Sequence, residues 1–229
     1  DLGALWGTVL GVMVDDTYSY EVRFGRRKPI QFISHLDLMR VWERMFRRAR
    51  LPVAHSHGFN PRPQLTFAAP LPVGVLSRND LLEVVLQEPV PAEELLPALR
   101  AQAVPGLTVE GVTIVAGRRK SLPARMREAL YEIELWDADP EGVRQAVEAL
   151  MAAPSVPMHM ERGGRIREYD LRPLVLDLDQ TEGSGLRARL RHDPQATGRP
   201  DDLLRALGHD PAQAQITRTG LVLAPVDGG

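Results

Sequence analysis

The stretch YEVRFGRRKPIQFISHLDLMRVWERMFRRARLP, residues 20–52, changes its hydrophobic period halfway along. Tyr20, Val22 and Phe24 alternate with Glu21 and Arg23, the period of a half-buried strand. Gly25-Arg26-Arg27-Lys28-Pro29 then turns the chain. Beyond it Leu38, Trp42, Met45 and Ala49 recur at helical spacing and are expected in the core. Arg40, Arg44, Arg47 and Arg48 fall on the other side. Ser34 with Asp37 three residues later is a capping pair, the carboxylate at the positive end of the helix dipole. Glu43 is placed to pair with Arg47 at i,i+4, and Pro52 marks the stop. A β-α-β-β-α-β module begins in this way.

Downstream, Pro52, Pro61, Pro63, Pro70 and Pro72 prevent residues 51–75 from forming a central strand throughout. Residues 64–68 alternate as a strand, residues 81–86 read as its partner, and Arg78-Asn79-Asp80 is expected to turn between them. A helix over 91–104 and a strand over 107–115 complete the module. Residues 117–127 are a polar, basic connection and the expected boundary. The pattern then repeats, with a strand over 131–136 and a helix over 140–152. Extended pieces follow at 158–160, 166–169 and 174–179, with Gly163-Gly164 as a hairpin turn. A strand over 186–191, a helix over 200–207 that opens at Pro200 and stops at Gly208, and a strand over 215–223 close the chain. The expected fold class is α+β: two tandem ferredoxin-like modules, 19–117 and 128–224, the second with an inserted strand.

Residues 1–18 lie outside both and are expected to be a linker, a tag remnant or the tail of an upstream domain. Their apolar run, residues 5–14, is too short to span a bilayer and ends in Asp15-Asp16, unlike a signal peptide.

The 229 residues are 44% hydrophobic and 25% charged, within the range of globular proteins. The absence of cysteine excludes disulfides, a thiolate nucleophile, a thiolate zinc site and a cysteine-held iron–sulfur cluster in this chain. The expected location is the cytoplasm, with no membrane association and no cofactor. Net charge is −2, but residues 21–65 carry ten Arg or Lys against three Asp or Glu. A basic stretch within an acidic chain is the footprint of a polyanion partner, or of a solvated, salt-bridged helix face. Arginine supplies 26 of the 28 basic residues, which suits bidentate phosphate contacts.

Catalytic signatures fail. Lys28 and Lys120 sit in no Gly-rich phosphate loop, and neither G-x-G-x-x-G after a strand nor H-E-x-x-H occurs. His159-Met160-Glu161 lacks the cysteines of a zinc deaminase, and Gly183-Ser184-Gly185 reads as a turn. His55 and His57 are the metal candidates; an exposed loop is the simpler reading. His35, at the start of the basic helix, stands where an anion could bind and a proton could move. A structural histidine is the competing reading. The nucleic-acid candidates are Arg26, Arg27, Lys28, Arg40, Arg44, Arg47 and Arg48, with Asn60 and Arg62 on the Pro-rich loop. Phe59 and Phe67 are placed either to stack bases or to fill the core.

The block FISHLDLMRVWERMFRRARLPVAHSHGFNPRPQLTFAAPLPVG, with EYDLRPLVLDL, GRPDDLLRALG and ITRTGL further on, closely resembles the radical-SAM-linked bacterial family of unknown function. Its members stand alone or are fused C-terminal to cobalamin-binding radical-SAM proteins. The resemblance covers about residues 20–223. It implies a radical-SAM enzyme as partner and proximity to RNA-processing genes, but no catalytic residues. The paired modules with a basic helix also look like the repeat-processing endoribonucleases of CRISPR systems, an analogy of fold alone.

Three functions are therefore expected to compete. The leading one is a non-catalytic RNA-binding or substrate-presenting module working with a radical-SAM enzyme. The second is a metal-independent endoribonuclease using His35 as acid or base. The third is a protein-interaction module.

Overall fold

The computed structural model describes residues 17–117, 119–162 and 165–226. Among them the chain forms ten strands and five α-helices, a mixed α+β architecture. It divides into two compact units. Residues 17–73 and 79–123 lie in the first, 74–78 and 124–224 in the second.

The first unit contains β1 (Tyr18–Arg26), α1 (His35–Arg48), β2 (Leu65–Phe67), β3 (Leu76–Leu86, from Asn79 onward), α2 (Ala92–Gln102) and β4 (Leu107–Ile114). Its strands are ordered β4-β1-β3-β2. β1 runs antiparallel to β4 and β2 antiparallel to β3. The alternation expected over residues 20–24 is present: Tyr20, Val22 and Phe24 are buried. Leu38, Val41, Trp42, Met45 and Phe46 form the inner face of α1. Phe24 sits edge-on to both Trp42 (5.2 Å between centroids) and Phe67 (5.8 Å), so strand and helix share one aromatic core. Each such side chain contributes about 1.5–3 kcal/mol on burial, and α1 is held chiefly by this face.

The second unit contains α3 (Leu122–Arg125, from Ala124), β5 (Met126–Leu135), α4 (Pro140–Ala152), β6 (Pro157–Arg162), β7 (Arg165–Asp170), β8 (Val175–Gln180), β9 (Leu186–Arg191), α5 (Pro200–Ala206) and β10 (Ala214–Leu223). Strands β10-β5-β9-β8 lie side by side and antiparallel throughout. Thr217 and Arg218 of β10 also pair in parallel with Leu76 and Ser77, making the sheet mixed. Asp139 caps α4 by accepting the Gly142 N–H at 2.8 Å, and Pro140 supplies a first-turn residue with no N–H to satisfy.

Several expectations are corrected. Arg78-Asn79-Asp80 is not a turn: all three lie inside β3, where Asp80 is buried and Arg78 reaches Glu132 at 2.8 Å. Ladder pairing and that ion pair outweigh the local turn preference. The chain bends at Val73-Gly74 instead, where Gly74 has a φ of +85°. β5 begins at Met126, inside the expected connection, because Met126 is buried and pairs with Leu223. Between α4 and β8 the insertion is the pair β6 and β7 in a two-stranded sheet of their own, not one added strand. Ala49 caps the C-terminus of α1, half-buried, rather than extending its core face. The Gly163-Gly164 turn and most of residues 1–18 lie outside the described residues.

Candidate nucleic-acid interface

α1 begins as its sequence requires. The Ser34 hydroxyl accepts the Asp37 N–H at 3.1 Å and donates to the Asp37 carboxylate at 2.7 Å, a reciprocal cap. Those contacts, the Ser34 hydroxyl first and Arg40 with it, hold the Asp37 carboxyl below its usual range. The helix ends in a motif the sequence did not announce. Arg50 takes a left-handed φ of +56°. Its N–H bonds to the Arg47 carbonyl, and the Leu51 N–H reaches back to Phe46, both at 3.1 Å. This is the double bond of a Schellman stop, with arginine where glycine is usual.

The basic residues expected to act together are separated by the fold. Arg26 is fully buried, at 0% exposure; its guanidinium donates to the carbonyls of Ile33 (3.1 Å) and Pro72. It fastens the chain on either side of α1 and β2 and presents nothing to a ligand. Arg27 and Lys28 are exposed on the turn after β1. Arg40, Arg44, Arg47 and Arg48 all lie on the exposed side of α1, at the positions opposite Leu38, Trp42 and Met45. Arg40 is engaged by Asp37 at 3.1 Å. The expected Glu43–Arg47 pair is not made: among the described residues Arg44, Arg47 and Arg48 have no carboxylate within 4.0 Å.

Asn60 and Arg62 belong to a projecting loop between α1 and β2. At its base the Ala54 N–H donates to Val85 and the Val85 N–H to Gln64, at 2.8 and 3.1 Å. The Gln64 N–H closes on Ala54 at 2.8 Å, and Ser56 and Arg62 are joined by two further bonds. His55, His57, Phe59, Asn60 and Arg62 are exposed around its tip. The His55 ring nitrogen Nδ1 lies 3.0 Å from the Val53 carbonyl, which makes Nδ1 the protonated nitrogen. No group of three His, Asp or Glu placed to hold a metal occurs among the described residues.

Two aromatic assignments separate here. Phe67 is buried against Phe24, while Phe59 stands wholly in solvent. His35 is the first residue of α1, half-buried, its ring edge-on to Phe67 at 4.9 Å. That packing gives it a structural use. No helix among the described residues is long and apolar enough to cross a membrane.

No curated protein matches the chain. Residues 19–200, which include the basic helix, the projecting loop and most of the second unit, match a bacterial family. The chain belongs to the family described as "Uncharacterized protein conserved in bacteria (DUF2344)".

Proposed function

We propose that this chain is a non-catalytic RNA-binding or substrate-presenting module that works in the cytoplasm with a radical-SAM enzyme. The observation that carries the proposal is the outer face of α1, where Arg44, Arg47 and Arg48 are exposed and have no carboxylate partner among the described residues. Salt-bridged helix faces answer their own charge; this one leaves three guanidinium groups for a ligand, with Arg62, Arg27 and Lys28 as further cations. Guanidinium meets phosphate, as it meets carboxylate, in pairs of hydrogen bonds, and cations gathered in one stretch of an acidic chain are the footprint of a polyanion. The partner enzyme rests on the family resemblance of the 32–74 block, and with no cysteine these 229 residues hold no cysteine-ligated cluster themselves.

We also read each unit as a ferredoxin-like module. The first has the order β-α-β-β-α-β with strands 4-1-3-2 across the sheet. The second has the same order once the β6–β7 pair is set aside.

Filter binding of purified protein to RNA at 50 and 200 mM salt tests the function. Three to five phosphate contacts on a single strand predict about 20- to 130-fold weaker binding at the higher salt. Absent or salt-insensitive binding refutes it. Incubation with structured RNA in EDTA tests the enzymatic alternative: intact RNA is expected, and cleavage that His35→Ala abolishes would install a ribonuclease instead.

A further inference from the structure

Phe59 is 106% exposed, yet the loop that carries it is tied down at base and neck. Folding gains nothing from placing a phenyl ring in water, and no core residue touches it. Gly58, with a φ of +133° and open space where a Cβ would stand, lets the tip turn with the ring outward. Asn60 follows it, Arg62 stands three residues on, and His57 precedes Gly58. Charge is one-sided along this part of the chain: from Arg44 to Asn79 the sequence contains no Asp or Glu. An ordered, cationic loop ending in a bare aromatic face matches one ligand chemistry better than the rest. It matches an unpaired nucleotide, with the base on the ring and its phosphates on guanidinium. A duplex keeps its bases stacked on each other and has no free face for Phe59. An acidic protein segment would satisfy the charges but would bring no planar surface.

Resting on the RNA-binding assignment above, we propose that the 56–62 loop is a stacking finger that selects single-stranded over double-stranded RNA, with Phe59 under an unpaired base and Arg62 on its backbone.

Fluorescence anisotropy with a labelled 12-nucleotide oligouridine and a 12-base-pair RNA duplex is the test, using the full chain, Phe59→Ala and Arg62→Gln. Single-strand affinity is expected to exceed duplex affinity in the parent. Phe59→Ala is expected to weaken the single-strand complex about 5- to 150-fold and leave duplex binding and the salt slope unchanged. Arg62→Gln is expected to lower the slope by about 0.7. Because Phe59 contacts no core residue, the unfolding midpoint should stay where it is. Salt-dependent RNA binding that ignores Phe59→Ala, or that is equal for strand and duplex, overturns the finger and leaves the α1 interface standing. No RNA binding at either salt removes both. Capture of a protein partner from nuclease-treated extract that is lost in Phe59→Ala, with no strand preference, reassigns the tip to protein docking.

Discussion

Replacing Arg26 with methionine separates the structural arginine from those that face solvent. Its guanidinium is buried and donates to the Ile33 and Pro72 carbonyls. Methionine fills most of the volume but cannot donate, so both carbonyls lose a charged partner. Hydrogen bonds to charged groups contribute about 1.5–3 kcal/mol each, and two are lost. A loss of about 4 kcal/mol follows, a large share of the roughly 5–15 kcal/mol available to a domain. Urea unfolding followed by circular dichroism and by tryptophan emission, to which Trp42, fully buried in the same unit, contributes beside Trp6 and Trp136, reads it. At a slope of about 2 kcal/mol per molar urea the midpoint should fall by about 2 M. Arg47→Met, on the exposed side of α1, should stay within about 0.5 kcal/mol of the parent. A loss under about 1 kcal/mol for Arg26→Met would refute the structural role and return Arg26 to the phosphate-binding set.

Arg50→Gly should stabilise the first unit by about 1 kcal/mol in the same urea assay, because the left-handed residue that ends α1 then carries no Cβ penalty; a loss of stability would mean the Arg50 side chain holds a contact of its own. The Tyr169 hydroxyl donates to Asp202 at 2.6 Å, joining β7 to α5. Tyr169→Phe should therefore speed amide exchange across 157–170, and unchanged exchange would show the pair to be incidental. Burial, with the Asp202 carboxylate behind it, raises the Tyr169 phenol above its ordinary 10. A raised folded value stabilises the protein at pH below the unfolded value, and that contribution disappears as pH climbs through the folded one. Burial raises the Tyr20 phenol as well, so ultraviolet titration of phenolate should show late-ionising tyrosine in the parent and a smaller late amplitude in Tyr169→Phe.

The fold was legible where apolar period and end signals agreed. Leu38, Trp42 and Met45 with the Ser34–Asp37 cap specified α1, and the helix expected over 140–152 is α4. Legibility failed where a residue's usual preference was overruled from a distance. Arg78-Asn79-Asp80 has turn composition, yet hydrogen bonding along β3 keeps it extended. At the site, counting charge treated every arginine as solvated. A signal was present all the same: Arg26 stands in phase with Tyr20, Val22 and Phe24, so period two alone would have turned it inward. The Glu43–Arg47 pair failed for a different reason, since exposed i,i+4 pairs are worth only about 0.2–0.5 kcal/mol and do not fix two long side chains. Phe67 stands in phase with Leu65 on the alternating run 64–68, which favoured the core, whereas no period in the Pro-rich loop marked Phe59 as exposed.

The salt dependence of RNA affinity in the parent and in Arg44→Gln/Arg47→Gln/Arg48→Gln tests the central claim most directly. The plot of log affinity against log salt should be steep in the parent and shallower by about 2 in the triple variant, three released phosphate contacts on a single strand. Equal slopes in the two proteins, or a flat line in both, would contradict an α1 face that binds RNA.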